Sequence, residues 1–250
     1  MGDPADRAVV VVPTYNERPS IGELSDRLFA ATDRVDLLVV DDSSPDGTAT
    51  AVRELQRDDE RIHLIERPKK LGLGTAYLAG FAWALERGYG AVVEMDADLS
   101  HDPADVARLL EALDDADLVV GSRYVPGGRI PNWGLLRRAL SRAGNLYARV
   151  LLGLATRDAT SGFRAYRATV LWGPTLEGVA SEGYAFQIEM VRRIERAGGR
   201  VTEIPITFVE RHEGRSKMSR RIVLEALVRV TRWGLQDRLA RLRRRRAERP

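Results

Sequence analysis

Cysteine is absent from the 250 residues. That excludes disulfides, thiolate nucleophiles and cysteine-ligated metals, and it removes any need for an oxidising compartment. Histidine is nearly absent too: His63, His101 and His212 are scattered along the chain, and none stands out as a catalytic base. No run approaches the roughly 18 apolar residues of a membrane-crossing helix. The start, Met1-Gly2-Asp3-Pro4, has no apolar stretch before the first strand pattern, so no signal peptide is expected. What remains is 44% hydrophobic and 30% charged, the balance of a globular protein with a full core.

The net charge of +3 is unevenly spread. Residues 219–250 carry eleven Arg against three acids, a net +8 that leaves the first 218 residues at −5. A mildly acidic body with a basic tail suits an anionic partner such as a membrane surface. No nucleic-acid recognition motif accompanies the tail, so nucleic acid is not expected.

Short apolar runs at residues 8–12, 37–40, 62–65, 91–95 and 118–120 read as buried strands. Between them, helices are expected over residues 19–31, 48–57, 72–86 and from Pro103 onward, opened by Pro19 and Pro103 and stopped by Gly88 and Gly90. This alternation predicts an α/β fold, a mostly parallel central sheet with helices on both faces. The second half reads as helices over 135–152, 184–197 and 220–245, a turn and strand at 160–166, and an edge strand at 201–209 carrying Pro205. Two parts are expected: an α/β domain, residues 1–218, and a basic amphipathic C-terminal helix, residues 219–250, part packed on the domain and part facing a membrane.

Ligands of a parallel α/β sheet sit outside the carboxyl ends of its strands. Polar clusters fall there four times: Pro13-Thr14-Tyr15-Asn16-Glu17, Asp41-Asp42-Ser43-Ser44-Pro45-Asp46-Gly47-Thr48, Asp96-Ala97-Asp98 and Gly121-Ser122-Arg123. One cluster would pass for a turn or a helix cap; four at one edge point to a site. In extended backbone Asp96 and Asp98 share a side, where two carboxylates suit Mg²⁺ or Mn²⁺ shared with substrate phosphates. Ser100, two residues on, is a candidate to complete that divalent metal site. The stretch around Gly72 and Gly74 lacks the third glycine of a dinucleotide fingerprint, Tyr77 standing in its place, and it is no phosphate loop. A helix start preceded by Lys69 and Lys70 suits an anion, and a plain glycine-started helix explains it equally. Cations come from the second half: Arg123 after a strand, Arg137 four residues before Ser141 on one helix face, and Arg211, Arg215 and Lys217 in a loop.

These motifs resemble the family-two inverting glycosyltransferases of the GT-A fold. The later segments Asp158-Ala159-Thr160-Ser161-Gly162-Phe163-Arg164 and Glu182-Gly183-Tyr184-Ala185-Phe186-Gln187, with residues 211–217, look like the polyprenyl- or dolichyl-phosphate mannose synthase branch. The resemblance spans about residues 8–220. It implies transfer of mannose from GDP-mannose to a polyprenyl monophosphate lipid with inversion. It assigns Pro13, Tyr15, Glu17, Asp41, Asp42, Gly72 and Gly74 to the nucleotide, and Asp96 and Asp98 to the metal and donor. Arg123, Arg137 and Ser141 fall to the acceptor phosphate, Arg211 and Lys217 to the donor diphosphate. It also implies a peripheral enzyme on the cytoplasmic face of a membrane, with room for a membrane-anchoring partner subunit. Two other readings stay open: transfer of glucose or another sugar to the same lipid, and a non-catalytic nucleotide-binding module that docks on membranes.

Overall fold

The computed structural model describes residues 6–210 and 220–247; side chains of Pro174, Arg220, Arg221 and residues from 240 on lie outside that description. Arg211, Arg215 and Lys217 therefore lie outside the described residues. The first half alternates as its apolar runs predict: β1 (Ala8–Thr14), α1 (Arg18–Ala31), β2 (Val35–Asp41), α2 (Thr48–Asp58), β3 (Ile62–Glu66), α3 (Leu73–Glu86), β4 (Ala91–Glu94), α4 (Asp105–Ala112) and β5 (Leu118–Ser122). Then come α5 (Leu135–Leu152), β6 (Arg164–Arg167), α6 (Gly183–Arg196), β7 (Val201–Pro205) and α7 (Arg220–Ala247). Among the described residues the sheet has seven strands in the order β3-β2-β1-β4-β6-β5-β7. All its pairings are parallel except those of β6, which runs against both β4 and β5.

Successive residues of a strand face opposite sides, and β1 shows the result. Val9 and Val11 join a core with Tyr77 and Phe81 of α3, Ala148 of α5, Met190 of α6 and Val230 of α7. Val10 and Val12 join a second core with Leu24 of α1, Val52 of α2 and Leu109 of α4. Helices thus cover both faces, and the continuous valine run is the signature of a strand buried on both sides.

Several boundaries differ from the sequence reading, three of them at the carboxyl ends of strands. β1 continues through Pro13 to Thr14 instead of stopping at the proline, which costs little at a strand end. β7 stops at Pro205, four residues short of the expected end. Asp96-Ala97-Asp98 lies in the turn that follows β4, not in extended strand. The two carboxylates still end half-exposed on either side of a buried Ala97.

The tail is seated further than expected. Ala226 and Val230 are buried, and Gly234 lets α7 approach Leu151 of α5, where an added Cβ would stand 2.6 Å from Leu151 Cγ. Past that glycine, Asp237 is buried and accepts hydrogen bonds from Arg192 on α6 at 2.5 and 3.2 Å and an ion pair from Arg196. The packed part of α7 therefore reaches Asp237. No described helix is long and apolar enough to cross a membrane.

Candidate active site

The loops after β1, β2 and β4 share one unusual feature. Among the described residues, the three non-glycine residues with positive φ are Asn16, Ser43 and Leu99, at 60°, 59° and 58°. Each sits just past the carboxyl end of a strand. Such conformations cost free energy and gather where a site fixes the backbone.

The first two loops brace each other. Asp41 accepts from Thr14 Oγ1 at 2.8 Å and from the Ser44 N–H at 2.9 Å. Asn16 N–H donates to Ser44 Oγ, Glu17 N–H to Thr48 Oγ1, and Arg18 N–H to Asp46. Asp42 pairs with Arg67, both nearly buried, and also accepts the Leu71 N–H at 3.1 Å and that of Gly72 at 3.4 Å. Of the residues that the resemblance gives to the nucleotide, Asp41 and Asp42 thus hold the loop frame. Tyr15 stands half-exposed with the Lys70 ammonium 3.9 Å from its ring centroid.

At the start of α3, where an anion and a plain glycine-started helix were both open, stands a carboxylate of the chain itself. Glu182 accepts the Gly74 N–H at 2.9 Å. A Cβ on Gly72, whose φ is +104°, would fall 2.6 Å from the Glu182 carboxylate, and one on Gly74 would strike the Ser181 carbonyl. Both glycines are thus needed for this close approach, and the glycine-started helix is explained by packing against a segment 108 residues away.

Beneath Asp96 lies a buried polar floor that the sequence reading missed. Glu94 is fully buried and accepts from Tyr166 Oη at 2.7 Å and Gln187 Nε2 at 2.8 Å. Burial pushes its carboxyl up, against the pull of Arg164. Arg164, register partner of Glu94, is itself buried and donates to the carbonyls of Ala159, Ser161 and Gln187. A glutamate inside the apolar run Ala-Val-Val-Glu-Met was the signal available, because a charge on a doubly covered strand needs partners.

Asp98 accepts the Ser100 N–H at 3.1 Å. Ser100 Oγ is buried and has no hydrogen-bond partner among the described residues, and buried hydroxyls are seldom left so. Two half-exposed carboxylates with an unpartnered hydroxyl beside them fit a hard divalent ion that takes its remaining oxygens from substrate. Among the described residues no group of three or more His, Asp or Glu forms a metal cluster, so an all-protein cage is not what these residues offer.

Arg123 is enclosed: its side chain donates to Asp158 at 2.6 and 2.8 Å and to Thr160 Oγ1 at 2.9 Å. The rings of Tyr124, Trp133 and Phe208 surround it at 5.4 to 5.7 Å. Burial works against its charge, but Asp158 outweighs it and holds the guanidinium firmly protonated. Asn145 on α5 bonds Thr160 in both directions, which ties that helix to the same loop. Arg137 pairs with Glu210 and lies over Trp133 at 4.1 Å, and Ser141 Oγ accepts from Tyr124 Oη at 2.6 Å. Arg137 and Ser141 are both half-buried.

The two halves of the site converge on single side chains. Tyr184, at the start of α6, lies within electrostatic reach of Arg123, Arg137 and Asp96 together; burial raises its hydroxyl pKa although the two arginines pull it down. His101 senses Asp98, Arg123 and Asp158, and burial against Phe163 and Phe208 lowers its pKa to about 4, so it is neutral near pH 7.

Residues 9–173 match Glycosyl transferase family 2. The chain is 52% identical over 237 residues to an undecaprenyl-phosphate mannosyltransferase of Micrococcus luteus, covering 95% of this chain and 98% of the relative. It is 50% identical over 242 residues to a polyprenol monophosphomannose synthase of Mycolicibacterium smegmatis, covering 96% and 91%. Its fold resembles that of a glucosyl-3-phosphoglycerate synthase from Mycobacterium tuberculosis solved with Mn²⁺, UDP-glucose and phosphoglyceric acid, at TM-score 0.65 and 22% identity over 91% of this chain and 82% of that one. It also resembles a mannosyltransferase from Pyrobaculum calidifontis solved with GDP-mannose and Mn²⁺, at TM-score 0.54 and 21% identity over 100% and 78%. The seven-stranded sheet, the site at its carboxyl edge and these relatives lead to one assignment: the chain belongs to glycosyl transferase family 2 and is a glycosyltransferase of the GT-A fold.

Proposed function

We propose that this enzyme transfers mannose from GDP-mannose to a polyprenyl monophosphate and inverts the anomeric carbon, giving a β-linked polyprenyl phosphate mannose. The observation that carries it is the shared rim of the sheet: Asp96 and Asp98 follow β4 and Arg123 follows β5, with β6 between them. The carboxylates suit a metal-borne diphosphate and the arginine an anionic acceptor. The names of the two half-identical relatives supply the sugar and the lipid class.

The acceptor makes a strong general base unnecessary. A phosphate monoester has its second pKa at about 6 and is largely dianionic near neutral pH, so it needs orientation and charge compensation. Arg137 and Ser141 would grip its oxygens from one face of α5. Arg123, locked by Asp158, would contribute a fixed positive field. Asp96 and Asp98, with Ser100, would hold the divalent ion, which when bound neutralises charge growing on the departing diphosphate. Tyr15 and Glu17 would meet the guanosine, on a floor set by Pro13, Asp41, Asp42 and the Gly72 to Gly74 turn, and Arg211 and Lys217 would close on the diphosphate.

The test is transfer of radiolabelled mannose from GDP-mannose into organic-extractable lipid, with and without Mn²⁺ or Mg²⁺, alongside UDP-glucose as a competing donor. Label in the lipid phase that UDP-glucose does not suppress is the expected result; preferential use of UDP-glucose would sink the mannose assignment. Within that assay Arg137→Ala is expected to raise the acceptor KM about tenfold or more and to leave GDP-mannose affinity unchanged. Lost donor affinity with an unaltered acceptor KM would remove Arg137 from the acceptor site.

A lipid acceptor requires work at a membrane. In support, α7 turns Leu224, Val228, Leu235 and Leu239 to solvent opposite its packed face, and α5 exposes Leu136, Leu140 and Val150. Apolar helix faces set among arginines are the pattern of interfacial helices. We place the enzyme on the cytoplasmic face, where its nucleotide sugar is made available. Because Asp237 is clamped, the tail can be removed cleanly only beyond Leu239. Truncation there deletes Arg241, the run Arg243 to Arg246 and Arg249. At about 1 kcal/mol per arginine near an anionic surface, co-sedimentation with anionic vesicles is expected to fall at least about tenfold, with GDP-mannose binding retained. Equal sedimentation of both forms at low salt would exclude the tail as the contact.

A further inference from the structure

A cavity of about 570 Å³ opens beside the acceptor helix, lined by Arg123, Arg129, Ile130, Pro131, Arg138 and Arg142, with no carboxylate among its described lining residues. It is not the Arg137 and Ser141 face: Arg138 and Arg142, also four apart, stand on the next face of α5. Of its four arginines only Arg123 is neutralised, by Asp158. Among the described residues Arg129, Arg138 and Arg142 form no ion pair. Arg138 donates to the Ile130 carbonyl at 2.9 Å, while its Nε is buried without an acceptor.

The wall is held in place. The Arg129 N–H donates to the Ile206 carbonyl at 2.9 Å, and the Arg129 carbonyl accepts the Phe208 N–H at 2.9 Å. That bridge fixes the loop against the segment after β7. Gly128 permits it, since a Cβ there would lie 2.7 Å from the Arg123 backbone. Three uncompensated guanidinium groups around one concavity repel each other, and a buried Nε without a partner adds a desolvation cost. A bound anion with several oxygens relieves that repulsion, and guanidinium forks match phosphoryl oxygens in geometry.

We propose that this cavity is a second anion site, distinct from the Arg137 and Ser141 face, that takes a phosphoryl group: the head group of an anionic phospholipid or free phosphate. Exposed Leu135 and Leu136, 82% and 74% accessible at the start of the same helix, give a lipid's chains an apolar path from the head group.

The test compares wild type with an Arg129→Gln/Arg142→Gln double variant, neither residue having been placed in the transfer site. One arm measures binding to phosphatidylcholine vesicles with and without phosphatidylglycerol at low salt. The other measures thermal stabilisation by inorganic phosphate against chloride at matched ionic strength. Loss of phosphatidylglycerol-dependent binding, by about fivefold per arginine, identifies the lipid source. Loss of phosphate-specific stabilisation identifies the free ion. An Arg129→Lys/Arg142→Lys variant, keeping the charges but not the forks, should bind better than the Gln variant and less well than wild type, and it guards against a misfolded double variant. If the Gln variant, folded by circular dichroism, matches wild type in both arms, the site is refuted. Neither arm needs turnover, so the result stands whatever sugar or acceptor the enzyme proves to use.

Discussion

Asp98→Ala is expected to lower mannose transfer by about a thousandfold with little change in melting temperature. The side chain sits half-exposed in the turn after β4, beside Asp96 and the unpartnered Ser100 hydroxyl. Losing its bond from the Ser100 N–H costs stability on the order of 1 kcal/mol. In the proposed metal site, losing one of two carboxylates would remove charge stabilisation that exists mainly in the transition state, where a single preorganised contact is worth about a hundred- to a thousandfold. Steady-state kinetics across a Mn²⁺ titration separates the outcomes: the variant should show both a lower kcat and a weaker apparent metal affinity. Full activity with unchanged metal dependence would show that the ion is held elsewhere.

Asp158→Asn should act the other way round, on stability first. Asp158 is fully buried and makes three hydrogen bonds with Arg123, including one from its backbone N–H at 2.9 Å. Leaving the guanidinium buried without its counter-charge costs about 3–5 kcal/mol, equivalent to a fall of about 10 °C in Tm for a chain of this size. Activity should fall as well, because Arg123 loses the partner that orients it. The acid sensitivity has a definite sign. Burial raises the Asp158 carboxyl, but Arg123 outweighs it and holds the folded pKa below the ordinary value of 3.8. The stabilisation is therefore present above that value and lost as pH falls through the still lower folded pKa, and the Asn variant should lack this strongly acidic part of the pH dependence. An Arg123→Met/Asp158→Leu double variant should regain much of the stability without the activity. If Asp158→Asn melts within a degree or two of wild type, the pair is not holding the loop.

The first half of the fold was legible because its strands are covered on both faces and so read as unbroken valine and leucine runs, with Pro19 marking a helix start. The site's acidic edge was legible for a related reason: a carboxylate that follows such a run must emerge at the sheet's rim. The details of the rim were not. Asp96 and Asp98 were placed by strand alternation, yet the strand had already ended, and the pair owes its half-exposed setting to a turn with Leu99 at positive φ. At Gly72 and Gly74 an anion and a plain glycine-started helix stayed equally open, because nothing local reveals that Glu182 folds back onto the start of α3. The Arg123 to Asp158 pair and the Glu94 floor are likewise contacts between distant segments. Spacing along one helix could find Arg137 and Ser141, but the Glu210 and Trp133 neighbours of Arg137 come from other segments.

The reversed strand β6 sets the reach of the reaction. It lies between β4 and β5, so the rim that bears Asp96 and the rim that bears Arg123 are two strand intervals apart, about 10 Å at the usual spacing. Had β4 and β5 been neighbours, a diphosphate and a lipid phosphate would crowd together with no gap for the sugar passing between them. Because β6 runs antiparallel, its leading end points to the same rim, and there the chain has Gly162, with no side chain to block the gap. On the proposed function the sheet order acts as a ruler that would hold two anions one sugar apart.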